Sequence, residues 1–381
     1  MAGQTMADCK PQSDGPAKLL GLEIIRFTCA MTVLIFHYKH FALVPGLHVN
    51  RGIDMPLAVP LALFYTYGSY GVQVFWCISG FIFYWKYADA LAAHRIEPKR
   101  FFWLRFSRLY PLHFVTLLTV AGLQPIYIAI AGQPFNYDIS ASRFVAHLFL
   151  ADQWGASRAL SFNAPIWSVS AEVLVYAAFF ILVRVFAKSL LVIMGAIIAS
   201  LFCLWSGHAW PAVTCAGYFF AGGAAAVWLE SAGRERKPDG ARRVALAMIG
   251  TCVIASFFID LGGADRSPMS TWLMAITPPI LFLAAQDLPA LERWEQPIRT
   301  AGNLTYSTYL VHFPLQLAIA TFALAAGLAL PVREPWFLFA YLAATIIIGR
   351  IVFLRFEAPM QSMIRALTLR RATSSAMAKP A

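Results

Sequence analysis

The feature that most constrains this chain is its series of long apolar stretches. A helix needs about 20 apolar residues to cross the hydrocarbon core of a bilayer. Hydrophobic residues make up 59% of the 381-residue chain, and charged residues only 13%. The sequence therefore predicts an all-α fold, a polytopic bundle of about ten transmembrane helices. The predicted spans cover residues 20–43, 66–86, 109–131, 165–187, 189–206, 209–229, 244–261, 270–286, 302–327 and 335–354.

The distribution of basic residues predicts the orientation of these spans. Loops on the cytoplasmic side of membrane proteins carry an excess of Lys and Arg. With the N-terminus placed in the cytoplasm, most of the 30 Lys and Arg residues fall on that side. Both termini are thus expected in the cytoplasm, and the net charge of +11 gives no reason to expect a nucleic-acid partner. The predicted outer side holds Lys39, Arg51, Arg143, Arg158, Arg266 and Arg333.

The remaining segments fit around one membrane domain. Residues 1–18 are polar and predict a disordered cytoplasmic tail, residues 19–357 form the ten-helix domain, and residues 358–381 form a basic cytoplasmic tail. The stretch FVAHLFLADQW at 144–154 is too short to cross a bilayer and is typical of an interfacial or re-entrant piece. We expect a multi-pass protein of the bacterial inner membrane.

Motifs for metal, redox and ATP chemistry do not occur in the sequence. The six cysteines lack metal-ligand or redox spacing, and most of them fit small apolar positions in the spans. There is no Walker motif, no Gly-rich phosphate loop and no HExxH. The sequence therefore predicts neither a metal nor a bound cofactor, and it argues against an ATP-driven machine.

Two ionisable residues stand out in the first span. Arg26 and His37 are eleven positions apart, which is about three helical turns, so both side chains leave one face of the helix roughly 16 Å apart. Ionisable groups inside a membrane are costly and are typical of functional sites. A structural pair, with a snorkelling Arg and a hydrogen-bonded His, explains the pattern equally well.

A carboxylate in the fourth span is the second unusual group. Glu172 lies well inside this span and should face the bundle interior with a partner. Ser168 is four residues earlier and shares its helical face. A pair between Glu172 and His37 is geometrically possible, because both can reach a similar depth. A purely structural, hydrogen-bonded Glu172 is the alternative.

Two further segments carry candidate binding residues. Arg105 and Arg108 share a helix face at the cytoplasmic start of the third span, where planar guanidinium groups suit phosphate recognition. Tyr309 and His312 share a face of the ninth span. Ordinary cytoplasmic positive charge explains the first pair, and polar helix packing explains the second, if neither is functional.

Taken in order along the chain, these motifs resemble a known family. The chain is similar to the integral-membrane acyltransferases of the type three group, which O-acylate sugars of O-antigen, exopolysaccharide and nodulation factors. Gln73 departs from the pattern, because the family commonly has Asp there. The matching segments are Arg26 with His37, then ISGF, RFSRLYP, PIWSVSAE, YSTYLVH and FEAP.

The resemblance implies transfer of an acyl group, with acetyl expected, from acyl-CoA to a hydroxyl of a carbohydrate or glycolipid. His37, whose unperturbed pKa is near 6.5, would act as general base, with Glu172 orienting its imidazole. Arg105 and Arg108 would hold the CoA phosphates, with help from Arg26. Ser168, Tyr309 and His312 would line the substrate path, and Tyr309 or His312 could instead donate to the oxyanion. The expected partners are acyl-CoA, the acceptor and the lipid bilayer.

Two functions of other classes remain open at this point. A proton-coupled transporter or flippase of a sugar or lipid would also place His and Glu inside a ten-span bundle. It predicts transport without acyl-CoA turnover. A membrane scaffold of a polysaccharide assembly complex predicts that His37→Ala leaves product chemistry unchanged.

Overall fold

The part of the chain that the structure describes is predominantly helical. The computed structural model describes residues 19–137, 139–155, 159–234 and 238–377, and these ranges contain helices and no strands. The predicted all-α architecture is therefore confirmed. It suits a membrane because a helix satisfies its own backbone hydrogen bonds, for which lipid offers no partners. The helices are α1 (Leu20–Tyr38), α2 (Ala62–Tyr67), α3 (Gly71–Ala92), α4 (Pro98–Ala131), α5 (Ala141–Leu148), α6 (Ile166–Phe186), α7 (Leu190–Trp205), α8 (Pro211–Arg234), α9 (Pro238–Ser256), α10 (Ser267–Ala284), α11 (Pro289–Glu292), α12 (Glu295–Ala325), α13 (Pro335–Val352) and α14 (Ala358–Met377).

Seven helices in the described residues are long and apolar enough to cross a membrane. The other three predicted spans are helical as well, at α3, α7 and α9, but they are shorter or less apolar than these seven. The protein is a multi-pass membrane protein, while the count of ten spans and the cytoplasmic termini stay predictions. The seven segments are Leu20–Leu43, Pro98–Ala131, Ile166–Phe186, Pro211–Gly233, Ser267–Ala284, Glu295–Ala325 and Pro335–Leu367.

The structure describes only some of the segments that lie outside the predicted spans. The predicted N-terminal tail at 1–18 lies outside the described residues, as do Arg158 and residues 378–381. The stretch predicted as interfacial or re-entrant contains α5, a helix of eight residues. The predicted C-terminal tail contains α14, which continues from α13 through a π-helical turn at Phe353–Glu357.

Small residues allow α3 and α8 to pack closely against each other. A Cβ atom at Gly80 would collide with the backbone carbonyl of Phe219, and one at Gly222 would collide with that of Cys77. Helices in membranes gain stability from such close backbone approach because lipid offers no hydrophobic driving force between them. The glycine of the ISGF segment therefore has a packing role.

Helix α12 is the central element of the bundle. In its most apolar part 67% of the residues are buried, compared with 22% for the segment formed by α13 and α14. Helices α1, α4 and α13 all pack against it. This arrangement places the motif residues of α12 opposite those of α1 and α4.

Candidate active site

A cavity of about 470 Å³ lies between α1, α3, α4, α6, α12 and the start of α14. Of the residues singled out from the sequence, two histidines, His37 and His312, are not among the residues that line it. They form a separate cluster, described below. The predicted residues that do line the cavity are Arg26, Arg105, Arg108, Ser168, Glu172 and Tyr309.

Two of the predicted phosphate-binding arginines already have carboxylate partners. Arg26 donates to Glu23 Oε2 at 2.8 Å and to Thr305 Oγ1 at 3.2 Å. Arg108 pairs with Glu357 and lies over the ring of Tyr306, 5.3 Å from its centroid. Arg105 and Arg108 were expected to bind phosphate in the same way. The guanidinium of Arg108, however, already has a carboxylate partner.

Glu357, the glutamate of the FEAP segment, is a buried residue that was not among the predicted site residues. It is 2% exposed and accepts hydrogen bonds from Arg108 and from the Ser307 hydroxyl. The carboxylate stands at the end of the π-helical turn, a local irregularity that often marks functional sites. The FEAP segment was the sequence signal that could have identified this residue.

Arg105 differs from the other two arginines because it has no ion pair among the described residues. Its guanidinium donates to the Tyr87 hydroxyl at 2.6 Å and lies 4.7 Å and 4.9 Å from the ring centroids of Phe83 and Tyr87. Its Nε is buried and has no hydrogen-bond acceptor there. Stacking on aromatic rings fixes a guanidinium without neutralising its charge. Arg105 is therefore a preorganised cation in the cavity wall.

Three further polar residues of the lining were absent from the sequence prediction. Lys86 comes from α3, and Gln361 and Arg365 come from α14. The two residues of α14 fell in a segment expected to be a cytoplasmic tail. No sequence signal separated Arg365 from the other basic residues near the C-terminus, since their number fits ordinary positive charge on a cytoplasmic face.

Glu172 faces the cavity and not His37. Its carboxylate lies close to the hydroxyl groups of Ser79 and Tyr176, and the positive charges of Arg105 and Arg26 act on it. The Ser79 and Tyr176 oxygens are 3.2 Å apart. Within the described residues Glu172 and His37 are not in contact, so the geometry does not support the expected orienting role of Glu172.

The departure from the family pattern at Gln73 has a local explanation. With its amide nitrogen turned towards them, Gln73 donates to the backbone oxygens of Ser69 at 3.1 Å and Tyr70 at 3.2 Å. An ionised Asp could not make either bond, because a carboxylate only accepts hydrogen bonds. Gln73 thus holds the start of α3 and is not a lining residue of the cavity.

The imidazole of His37 is paired with that of His312. His312 Nε2 lies 3.1 Å from His37 Nδ1, and the two rings stack with centroids 4.9 Å apart. The ring of His40 is 5.0 Å from that of His37, and Gln316 donates to the His37 carbonyl at 2.9 Å. His312 is completely buried, whereas His37 is half-buried. His37 and His312, which were predicted separately, therefore form one hydrogen-bonded pair.

The hydrogen bonds of this pair assign the proton positions in the neutral rings. His312 Nδ1 is 2.6 Å from the backbone oxygen of Tyr309, which can only accept, so this nitrogen carries the proton. His312 Nε2 is then an acceptor, and His37 Nδ1 must be the donor between the two rings. In consequence, His37 Nε2 carries a lone pair and is the basic atom of the pair.

Tyr309 and Ser168 separate the cavity from the histidine pair. Both line the cavity, and their oxygens are 3.0 Å apart. The Tyr309 hydroxyl donates to the Pro165 carbonyl at 2.8 Å, and its ring centroid is 5.8 Å from that of His312. One layer of side chains thus lies between the cationic cavity and the imidazole rings.

In the part of the chain that the structure describes, His, Cys, Asp and Glu side chains form no group of three or more that could hold a metal ion. This holds for the cluster of His37, His40 and His312 as well. In this cluster both ring nitrogens of His312 are engaged in hydrogen bonds within the protein.

Comparison with known proteins identifies the class of this membrane protein. The sequence model of a family described as "Acyltransferase domain" matches residues 19–353, nearly the whole chain. The chain belongs to this family, as the order of its motifs predicted. Acyltransferase MdmB of Streptomyces mycarofaciens is 32% identical over 129 residues, which cover 33% of this chain and 31% of that protein. No solved structure matches the chain.

Proposed function

We propose that the protein transfers an acyl group, with acetyl as the expected case, from acyl-CoA to a hydroxyl of a carbohydrate or glycolipid such as exopolysaccharide or O-antigen. The surplus of positive charge in the cavity supports acyl-CoA as the donor. CoA bears several negative phosphate charges, and guanidinium groups bind phosphate strongly and with defined geometry. The cationic lining residues Arg26, Lys86, Arg105, Arg108 and Arg365 outnumber the carboxylate residues Glu23 and Glu172.

The general base in this reaction is His37 Nε2. It takes the proton of the acceptor hydroxyl as that oxygen attacks the thioester carbon. A C–O bond forms, the C–S bond breaks, and the imidazolium of His37 returns the proton to the departing CoA sulfur. His312 takes the orienting role first expected of Glu172, because its hydrogen bond to Tyr309 fixes the tautomer of both rings.

Tyr309 stands where donor and acceptor meet in this mechanism. It contacts the cavity on one side and the His312 ring on the other. Its hydroxyl donates to the Pro165 carbonyl in this structure. When its proton turns towards the oxygen of the tetrahedral intermediate, it can stabilise the negative charge that develops there. His312 cannot serve in that role, since both of its ring nitrogens are engaged within the protein.

The mechanism also gives the two substrates opposite entrances. Lys86, Arg105 and Arg365 lie in the part of the sequence predicted to face the cytoplasm, which supports entry of acyl-CoA from that side. His37 is roughly 16 Å further along α1 than Arg26. The acceptor then reaches His37 from the other side of the bacterial inner membrane. Membership of an acyltransferase family favours this enzyme over the carrier considered from the sequence.

The test uses purified protein in nanodiscs with radiolabelled acetyl-CoA and a membrane glycolipid extract as acceptor. We expect CoA release and labelled product from the wild type, and a loss of about 10²–10⁴-fold in kcat for His37→Ala. His208→Ala is the matched control, because His208 is exposed on the turn after α7. It should react as the wild type does.

Two further measurements keep the result unambiguous. Thermal unfolding and CoA binding should be unchanged in His37→Ala, so that lost turnover is not lost folding. His312→Ala should lower kcat and shift its pH profile while leaving the KM for acetyl-CoA unchanged. If the wild type releases no CoA with acetyl-CoA or succinyl-CoA and any extract, the proposed donor and acceptor classes are wrong.

A further inference from the structure

One face of α14 forms part of the cavity wall. Ala358, Gln361 and Arg365 are spaced three and four residues apart, which places them on the same side of a helix. All three line the cavity. Since α14 packs against α4, this face stands opposite the helix that carries Arg105 and Arg108.

The positive charges around this face are close enough to repel one another. Both Arg105 and Arg108 act electrostatically on Arg365. Glu357 neutralises Arg108, but no described carboxylate pairs with Arg105. Like charges held together in a partly buried cavity oppose each other unless an anion joins them. The arrangement is therefore that of an anion site.

Two hydrogen-bond donors point to the same kind of ligand. Gln361 Nε2 and Arg105 Nε are buried, and neither has an acceptor among the described residues. Buried donors are nearly always paired in folded proteins. Phosphate oxygens would supply the missing acceptors, whereas a further cation or an apolar group would not.

We propose that α14 contributes a phosphate subsite for the acyl donor, in which Gln361 and Arg365 together with Arg105 contact phosphate groups of the nucleotide end of CoA. This inference rests on the proposed acyl-CoA donor. It extends the donor site beyond the arginines of the RFSRLYP segment. The helix after the π-helical turn is then a working part of the enzyme, and not a tail.

The experiment compares two acetyl donors on the full chain in nanodiscs, with the same glycolipid extract as acceptor. Acetyl-CoA carries the nucleotide and its phosphates, whereas S-acetyl-N-acetylcysteamine carries the same thioester without them. We expect Gln361→Ala and Arg365→Gln each to raise the KM for acetyl-CoA about ten- to a hundredfold. Turnover of the short thioester should not change. Arg355→Gln is the matched control, because Arg355 is exposed and does not line the cavity.

Calorimetric titration with CoA separates the possible outcomes. Wild type that binds no CoA overturns the proposed donor itself. Wild type that binds CoA as tightly as both variants do leaves the donor standing and overturns the α14 subsite. An equal loss of activity with both thioesters also overturns it, because α14 would then only support the fold.

Discussion

Two buried polar clusters of this protein differ in how their charges are matched. Near α5, the Asp152 carboxylate accepts from Arg143 at 3.0 Å and Gln153 at 2.6 Å, and His147 Nε2 lies 3.3 Å away. In the cavity, cations exceed carboxylates and N–H donors remain without acceptors. A cluster that satisfies its own charge holds the fold, whereas one with surplus positive charge is ready for an anion.

The atoms left unpaired in each cluster support this distinction. Near α5 they are His113 Nδ1 and His147 Nδ1, which carry lone pairs because the Nε2 atoms of both rings face acceptors. In the cavity they are N–H groups of Arg105 and Gln361. An anion accepts hydrogen bonds from N–H groups but cannot pair with lone pairs. Of the two clusters, the cavity is therefore the one suited to bind an anion.

The largest effect is expected from breaking the cluster that satisfies itself. Asp152→Asn removes the charge that Arg143 and His147 face at a nearly fully buried site. Loss of one partner of a buried pair costs about 3–5 kcal/mol of the free energy of unfolding. Thermal unfolding should therefore occur at a clearly lower temperature. Folded protein should keep the wild-type KM for acetyl-CoA, and a raised KM with unchanged unfolding would contradict the structural role.

An intermediate effect is expected from Arg105→Ala, which should change the KM for acetyl-CoA and not the thermal stability. A hydrogen bond to a charged group contributes about 1.5–3 kcal/mol, so the KM for acetyl-CoA should rise roughly ten- to a hundredfold. Thermal stability should be nearly unchanged, since this guanidinium has no ion pair to lose among the described residues. Arg105→Lys should recover only part of the affinity, because an ammonium lacks the planar fork. Full recovery would mean that charge alone matters.

The smallest effect is expected from Lys86→Ala. Lys86 lines the cavity, but it is exposed, and solvent weakens the interactions of exposed charges. Such contacts contribute less than about 1 kcal/mol, which corresponds to less than about a fivefold change in the KM for acetyl-CoA. A change as large as that of Arg105→Ala would show that exposure is a poor guide to ligand contact here.

The comparison of sequence and structure is most instructive at His37 and Glu172. Both were identified from the sequence because an ionisable residue in an apolar span needs a reason to be there. The sequence allowed a contact between the two residues, but they have different partners in the structure. His37 contacts His312 of α12, and Glu172 contacts Ser79 and Tyr176. Depth along a helix limits which residues can meet, but helix rotation and neighbour order decide which of them do.

The electrostatic surroundings of the two arginines also depend on distant parts of the chain. Arg105 and Arg108 are equivalent in the sequence, three residues apart on one helix face. Glu357, which lies 249 positions away, neutralises only Arg108. Aromatic stacking holds Arg105 without compensating its charge. No local pattern encodes this difference, because it depends on the return of the chain through α13 and its π-helical turn.

The sequence by itself determined the helical membrane architecture, seven of its spans, the family and the residues whose burial would be costly. These follow from the length and polarity of segments, which are local properties that lipid makes decisive. Only the tertiary structure decided that His37 and His312 are hydrogen-bonded, that Arg105 lacks an ion pair among the described residues and that α14 lines the cavity. Those are contacts between distant segments, fixed by how helices pack and not by what each helix contains.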